Sequence, residues 1–232
     1  MIRFFYLNAF IALFTIICSA WGLLLSAFDR SGRVIHYYVA APWARMILRV
    51  CGVKVAVTGW QNVDSRRPHI YMANHQSYFD ILALLAYLPV DFKFILKQEL
   101  MKIPLFGLAM KRAGYIAINR EDPRKAVRGI NEASKRIKNG TSVLIFPEGT
   151  RSVDGRLQSF KRGGFYLALK SGCDLLPVTI INSHNIVPKG SLRVNRGVIT
   201  MAIGKPISVK TYTKKDTDQL MNRVREAIIN QT

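Results

Sequence analysis

His69-Ile70-Tyr71-Met72-Ala73, running directly into Asn74-His75-Gln76-Ser77-Tyr78-Phe79-Asp80, is the stretch that decides the fold. Its first five residues read as a short β-rich run, and an apolar helical stretch follows that stops before Pro89. A second β-rich run covers residues 92–96. Strand, helix and strand in that order is the unit from which parallel sheets are built. The alternation continues outward, with β-rich runs at residues 53–58 before the stretch and at 115–119, 142–146, 175–181, 192–194 and 198–203 after it. Asp122-Pro123 offers a cap and a first-turn proline to a basic helix that stops at Asn139-Gly140, and a last helix is expected over about residues 216–229. The pattern predicts a single α/β domain with a largely parallel central sheet over residues 51–232.

Residues 1–50 read differently. From residue 4 to residue 28 no side chain is charged, and the run is long enough to cross the roughly 30 Å hydrocarbon core as a helix. It exceeds the roughly 7–15 apolar residues of a signal peptide, and Arg3 is a thin basic start for one. A second segment, residues 34–50, mixes apolar positions with Arg45 and Arg49 and carries Tyr37, Tyr38 and Trp43, residues that favour a membrane interface. The two segments are expected to anchor the chain either as a true span or as a helical hairpin dipped into one leaflet. Arg30, Arg33, Arg45 and Arg49 follow the apolar run, which predicts that the α/β domain lies on the cytoplasmic face, as at a bacterial inner membrane.

Charge points the same way. Lys and Arg number 34 against 14 Asp and Glu, a formal net charge of +20 that favours a polyanionic partner. Either nucleic acid or the anionic leaflet of a membrane would fit, and the apolar N-terminus selects the membrane. Cys18, Cys51 and Cys173 lie in no metal-binding spacing and read as reduced packing residues, so no metal site is expected.

Two constellations carry chemistry. On a regular helix, side chains five apart diverge by about 140°, so His75 and Asp80 can meet only if His75 sits on a turn before the helix. In that arrangement the histidine is a base near neutrality with a carboxylate holding its tautomer, able to deprotonate a substrate hydroxyl as it attacks a carbonyl. The alternative reading of the same residues is a helix capped by Ser77 and closed by Asp80. The second constellation is Phe146-Pro147-Glu148-Gly149-Thr150-Arg151-Ser152, which follows another strand. There Gly149 permits close backbone approach, Arg151 offers a planar fork to a phosphate, and Thr150 and Ser152 add hydroxyls; an ordinary turn has the same composition. Lys161-Arg162-Gly163-Gly164 stands at an expected helix start, where anions are favoured.

Taken in order, Asn74 to Asp80, Gly114-Tyr115-Ile116-Ala117-Ile118-Asn119-Arg120, Phe146 to Ser152 and Leu175-Leu176-Pro177-Val178 resemble the four blocks of the 1-acyl-glycerol-3-phosphate acyltransferase family. The resemblance covers roughly residues 50–205, with Ala117 standing where the family more often has phenylalanine. It implies that His75 is the general base and Asp80 its orienting partner, and that Glu148, Gly149, Arg151 and Arg120, with Thr150, bind the glycerophosphate. Lys97 matches a further lysine that the family places near the phosphate. It also implies an acyl donor carried as a thioester on coenzyme A or acyl carrier protein, no other cofactor, and lysophosphatidic acid as acceptor. The competing acceptors are glycerol-3-phosphate and other lysolipids. A non-enzymatic binder of anionic lipid or nucleic acid is the competing class.

Overall fold

The computed structural model describes residues 1–29, 31–119 and 122–231. Helix α1 (Ile2–Leu25) is followed by α2 (Arg33–Ile35), a π-helical turn (His36–Ala40) and α3 (Ala41–Cys51). Then come β1 (Val53–Thr58), β2 (Ile70–Ala73), α4 (Phe79–Tyr87), β3 (Phe92–Lys97), α5 (Phe106–Arg112) and β4 (Ile116–Ile118). The rest of the chain forms α6 (Pro123–Lys138), β5 (Ser142–Ile145), α7 (Gly163–Ser171), β6 (Leu175–Ile181), α8 (Ser183–Ile186), β7 (Gly197–Ile203) and α9 (Thr217–Ile229).

The strands make one sheet in the order β1-β7-β6-β2-β5-β3-β4. Every neighbouring pair is parallel except β6 with β7. Period-two side-chain alternation lets each inner strand feed two cores. On β2, Tyr71 and Ala73 join the core beneath α3 and α4, whereas Ile70 and Met72 join the core beneath α6, α7 and α9. That is why β2 and β5 are buried at every position and, apart from Ser142, apolar. β2 stands between β5 and β6: after it the chain lays β3, β4 and β5 on one side and then β6 and β7 on the other, where β1 already forms the edge. Open α/β sheets bind ligands in the crevice at the carboxyl ends of the strands where such a switch occurs.

The Asp122 cap forms as its sequence requires: its carboxylate accepts from the backbone N–H of Arg124 and Lys125, and Pro123 opens α6. One expected strand is absent. Residues 192–194 form no strand, because their backbone groups have other partners. Arg3 Nη1 donates to the Val194 carbonyl at 2.6 Å and Asn8 Nδ2 to the Leu192 carbonyl at 3.2 Å, while the Asn195 N–H goes to the Ile186 carbonyl at 2.9 Å. An apolar–Arg–apolar triplet looked like a strand, but it serves as a docking site for α1.

Those contacts fix how α1 lies. At its start, Arg3 bridges the carbonyls of Val194 and Cys51, and Leu7 is buried in the main core. Just beyond its other end, Gly32 at φ 73° backs onto the Ala113 backbone so closely that no side chain would fit. Between these attachments Leu13, Ile17, Trp21 and Leu24 point outward, each more than half exposed. The helix is long and apolar enough to cross a membrane. At 1.5 Å per residue it is roughly 36 Å long, and both of its ends touch the same domain.

Candidate active site

The turn after β2 folds in the way the spacing demanded. Residues 74–77 are non-helical and α4 begins only at Phe79, so His75 stands before the helix and Asp80 lies in its first turn. His75 Nδ1 and Asp80 Oδ2 are 2.8 Å apart. The same Oδ2 accepts the backbone N–H of Gln76 at 2.6 Å and of Ser77 at 2.8 Å. Asp80 is wholly buried, and its negative charge is held by these donors at the start of a helix. One oxygen thus closes the turn and holds the imidazole; Ser77 Oγ accepts the Phe79 N–H at 3.2 Å, but the N-cap position of α4 falls on Tyr78, with no side-chain cap, so the expected capping box is not formed. With Nδ1 donating to the carboxylate, Nε2 is the ring nitrogen left to meet a ligand.

The second loop is stitched to the first through backbone groups. Glu148 Oε1 accepts the N–H of His75 at 2.7 Å and Oε2 accepts the N–H of Gln158 at 2.8 Å. The His75 carbonyl in turn accepts the Ser152 N–H at 2.8 Å. Glu148 is 2% exposed, and burial pushes its carboxyl above the ordinary value, with the two backbone donors offsetting part of that rise. The turn Phe146-Pro147-Glu148-Gly149 closes on a Gly149 N–H to Phe146 carbonyl bond, and Gly149 takes φ 76°, a conformation that favours glycine. Phe146 stacks on the His75 ring with centroids 3.9 Å apart and planes 13° from parallel, which fixes the ring's remaining freedom.

His75 opens onto an apolar cavity of about 590 Å³, within the range of small-molecule pockets. Tyr78, Lys97, Gly149, Thr150 and Arg151 share its lining at the His75 end; Cys18, Gly22, Val39 and Trp43 line the part formed by the N-terminal helices. The Arg151 guanidinium lies 3.7 Å above the Tyr78 ring centroid, and among the described residues its buried Nη1 has no hydrogen-bond partner. Lys97 ends β3, with Nζ 3.7 Å from Glu99 Oε2. Glu148 is not part of the lining. Arg120 lies outside the described residues. Arg162, at the start of α7, is engaged by Asp218 of α9 at 2.7 Å.

Several contacts of the site run to residues distant in the sequence. Asn74 continues the ladder with its side chain: Nδ2 donates to the Ile180 carbonyl at 2.7 Å and Oδ1 accepts the Ile180 N–H at 2.6 Å, which locks the turn to β6. Ser77 Oγ donates to the Val187 carbonyl, and Gln76 joins Gly155 to Ser183. Lys189 Nζ donates to the Arg151 carbonyl at 2.8 Å and lies 3.4 Å from Thr150 Oγ1, which puts another cation on this loop. Position 74 was visible as the first residue of the block. Nothing near Lys189 in the sequence marked it. Among the described residues no group of three His, Cys, Asp or Glu side chains is placed to hold a metal ion.

Comparison with known proteins identifies the family. A family model described as Acyltransferase matches residues 54–181. The chain is 38% identical over 203 residues to a chloroplastic 1-acyl-sn-glycerol-3-phosphate acyltransferase of Arabidopsis thaliana, covering 87% of this chain and 55% of that protein. A protein of the same description from Brassica napus is 38% identical over 205 residues, with 58% of its length covered, so the chain spans little more than half of these relatives. A 1-acyl-sn-glycerol-3-phosphate acyltransferase of Borreliella burgdorferi is 31% identical over 186 residues, 80% of this chain and 74% of that protein. The crystal structure of the 1-acyl-sn-glycerophosphate acyltransferase PlsC of Thermotoga maritima matches with a TM-score of 0.83 at 27% identity, covering 99% of this chain and 94% of that one. The chain belongs to the acyltransferase family that contains these 1-acyl-sn-glycerol-3-phosphate acyltransferases.

Proposed function

We propose that this protein transfers a fatty acyl group from coenzyme A or acyl carrier protein to the sn-2 hydroxyl of lysophosphatidic acid, giving phosphatidic acid. The observation that carries this reading is the His75–Asp80 pair at 2.8 Å, whose histidine shares the lining of an apolar cavity with Arg151, a residue whose buried Nη1 has no hydrogen-bond partner among the described residues. His75 Nε2 takes the proton of the hydroxyl as its oxygen attacks the thioester carbonyl. The tetrahedral oxyanion then collapses, the carrier leaves as a thiol, and the imidazolium returns the proton to the departing sulfur. Asp80 stabilises the imidazolium while it exists. Arg151, with Lys97, Thr150 and Arg120, binds the acceptor phosphate, and the apolar cavity takes a hydrocarbon chain.

Thioester consumption with matched acceptors in mixed micelles tests the assignment. Lysophosphatidic acid is expected to be preferred over glycerol-3-phosphate, with little turnover of lysophosphatidylcholine, whose choline cation would face Arg151. Arg151→Ala should raise the KM for lysophosphatidic acid by about tenfold and leave that for the acyl donor nearly unchanged. Arg151→Lys should restore only part of the loss, because a point charge replaces a fork. A better rate with glycerol-3-phosphate would reject the acceptor, and equal KM effects on both substrates would reject Arg151 as its ligand.

Glu148 has a different role in this scheme. Its two oxygens are engaged by the backbone of His75 and Gln158, so we assign it to positioning the base rather than to holding the phosphate, as the family resemblance had implied. Glu148→Gln keeps the shape but turns an amide NH2 toward one of two backbone donors. A fall of about tenfold in kcat with an unchanged KM for lysophosphatidic acid is expected from one buried unmatched donor. A raised KM with intact kcat would return Glu148 to the acceptor.

The protein is proposed to sit in one leaflet, with its catalytic domain on the cytoplasmic side and its cations toward anionic lipid. Support comes from α1, which is held to the domain near both ends by Arg3 and Gly32. A helix tethered in this way cannot carry one end to the far side of a bilayer unless those contacts break.

A further inference from the structure

We infer that residues 100–112 form a second membrane-seated surface beside α1, one that touches the lipid surface directly and does not merely follow the N-terminal helix. The inference rests on the membrane association proposed above. After β3 the chain makes a 3-10 turn (Gln98–Lys102) and then α5, and along these elements and their link it leaves Leu100, Ile103, Leu105 and Leu108 from 36% to 47% exposed. Four large aliphatic side chains within nine residues form a patch that a soluble surface rarely shows. Leu105 adds a second sign: it holds φ 60°, one of two non-glycine residues with positive φ among those described, so the backbone takes an unfavourable conformation at the centre of the patch.

Charge and continuity identify the occupant. Residues 100–112 contain no Asp or Glu, and Lys102, Lys111 and Arg112 flank the leucines, all of them exposed. Aliphatic side chains ringed by cations match the interface of an anionic bilayer, with apolar groups below the headgroups and ammonium or guanidinium groups among them. The patch also continues the apolar face of α1. Phe106, Ala109 and Met110 of α5 line the same cavity as Cys18, Ser19 and Gly22 of α1, so the outer surfaces of the two helices are neighbours. A lipid seated on both would cover the cavity's outer wall along its length.

The test uses the full-length protein and vesicles of equimolar phosphatidylethanolamine and phosphatidylglycerol. Hydrogen exchange of the unaltered protein should slow over residues 100–112 when vesicles are added, as well as over α1. Ile103→Asp with Leu108→Asp, two side chains outside the cavity lining, should weaken vesicle partitioning by at least about tenfold while turnover in detergent micelles stays at the wild-type level. Unchanged exchange over residues 100–112 while α1 is protected would overturn the inference and leave the leaflet assignment standing. Protection that follows protein concentration without lipid would also overturn it, by giving the patch to a second copy. Failure of the unaltered protein to bind vesicles would defeat the leaflet assignment itself.

Discussion

His75→Ala is expected to lower turnover by at least ~10² while fold and vesicle binding remain intact. The loss is confined because the contacts that hold this turn are made by the backbone: the N–H of residue 75 still reaches Glu148, its carbonyl still receives Ser152, and Asn74 still pairs with Ile180. Only the ring disappears, and with it the stacking on Phe146, a contact worth about 1 kcal/mol, and the bond to Asp80 Oδ2, which keeps the Gln76 and Ser77 N–H donors. The check is single-turnover acyl transfer beside a thermal melt. Wild-type-like turnover would remove His75 as the base; a melt shifted far down would show that the ring is structural.

Asp80→Asn should separate activity from stability more sharply. A single oxygen, Oδ2, serves His75, Gln76 and Ser77, while Oδ1 is buried and has no hydrogen-bond partner among the described residues. Asparagine can place its carbonyl oxygen where Oδ2 stands and keep all three contacts, its NH2 taking the unpartnered site. The turn is then preserved, but the charge that balances the imidazolium is gone, and kcat should fall by ~10²–10⁴. Replacing a fully buried carboxylate with a neutral isostere relieves desolvation, so the melting temperature should hold steady or rise. A variant that loses activity only in proportion to a lost fold would show that Asp80 acts as a cap alone.

Much of this architecture could be read from the sequence because the signals were local. Seven β-rich runs became strands: β2, β3, β5 and β6 lie inside the sheet and carry near-continuous apolar runs, whereas β1 and β7 show the alternation of half-buried strands. The Asp122-Pro123 cap and the bend between His75 and Asp80 followed from short-range geometry. What was not legible depends on partners distant in the chain. Residues 192–194 fail as a strand because Arg3 and Asn8 reach them across the fold. Asn74 acts through Ile180, and Lys189 through Arg151. Arg162 looked like an anion ligand until Asp218, on another helix, took it up. Arg45 looked interfacial, yet its Nε donates to the Ala86 carbonyl near the end of α4.

The reciprocal stitching of the two active-site loops has a consequence for inheritance. Because the Glu148 carboxylate receives the His75 amide while the His75 carbonyl receives the Ser152 amide, neither loop has a resting geometry of its own. Insertions in one must be matched by the other, and a chimaera that takes only one loop from a distant relative would place a sound histidine at the wrong height above Phe146. The pair is one cassette in two pieces, separated by 73 positions in the chain and interchangeable only together.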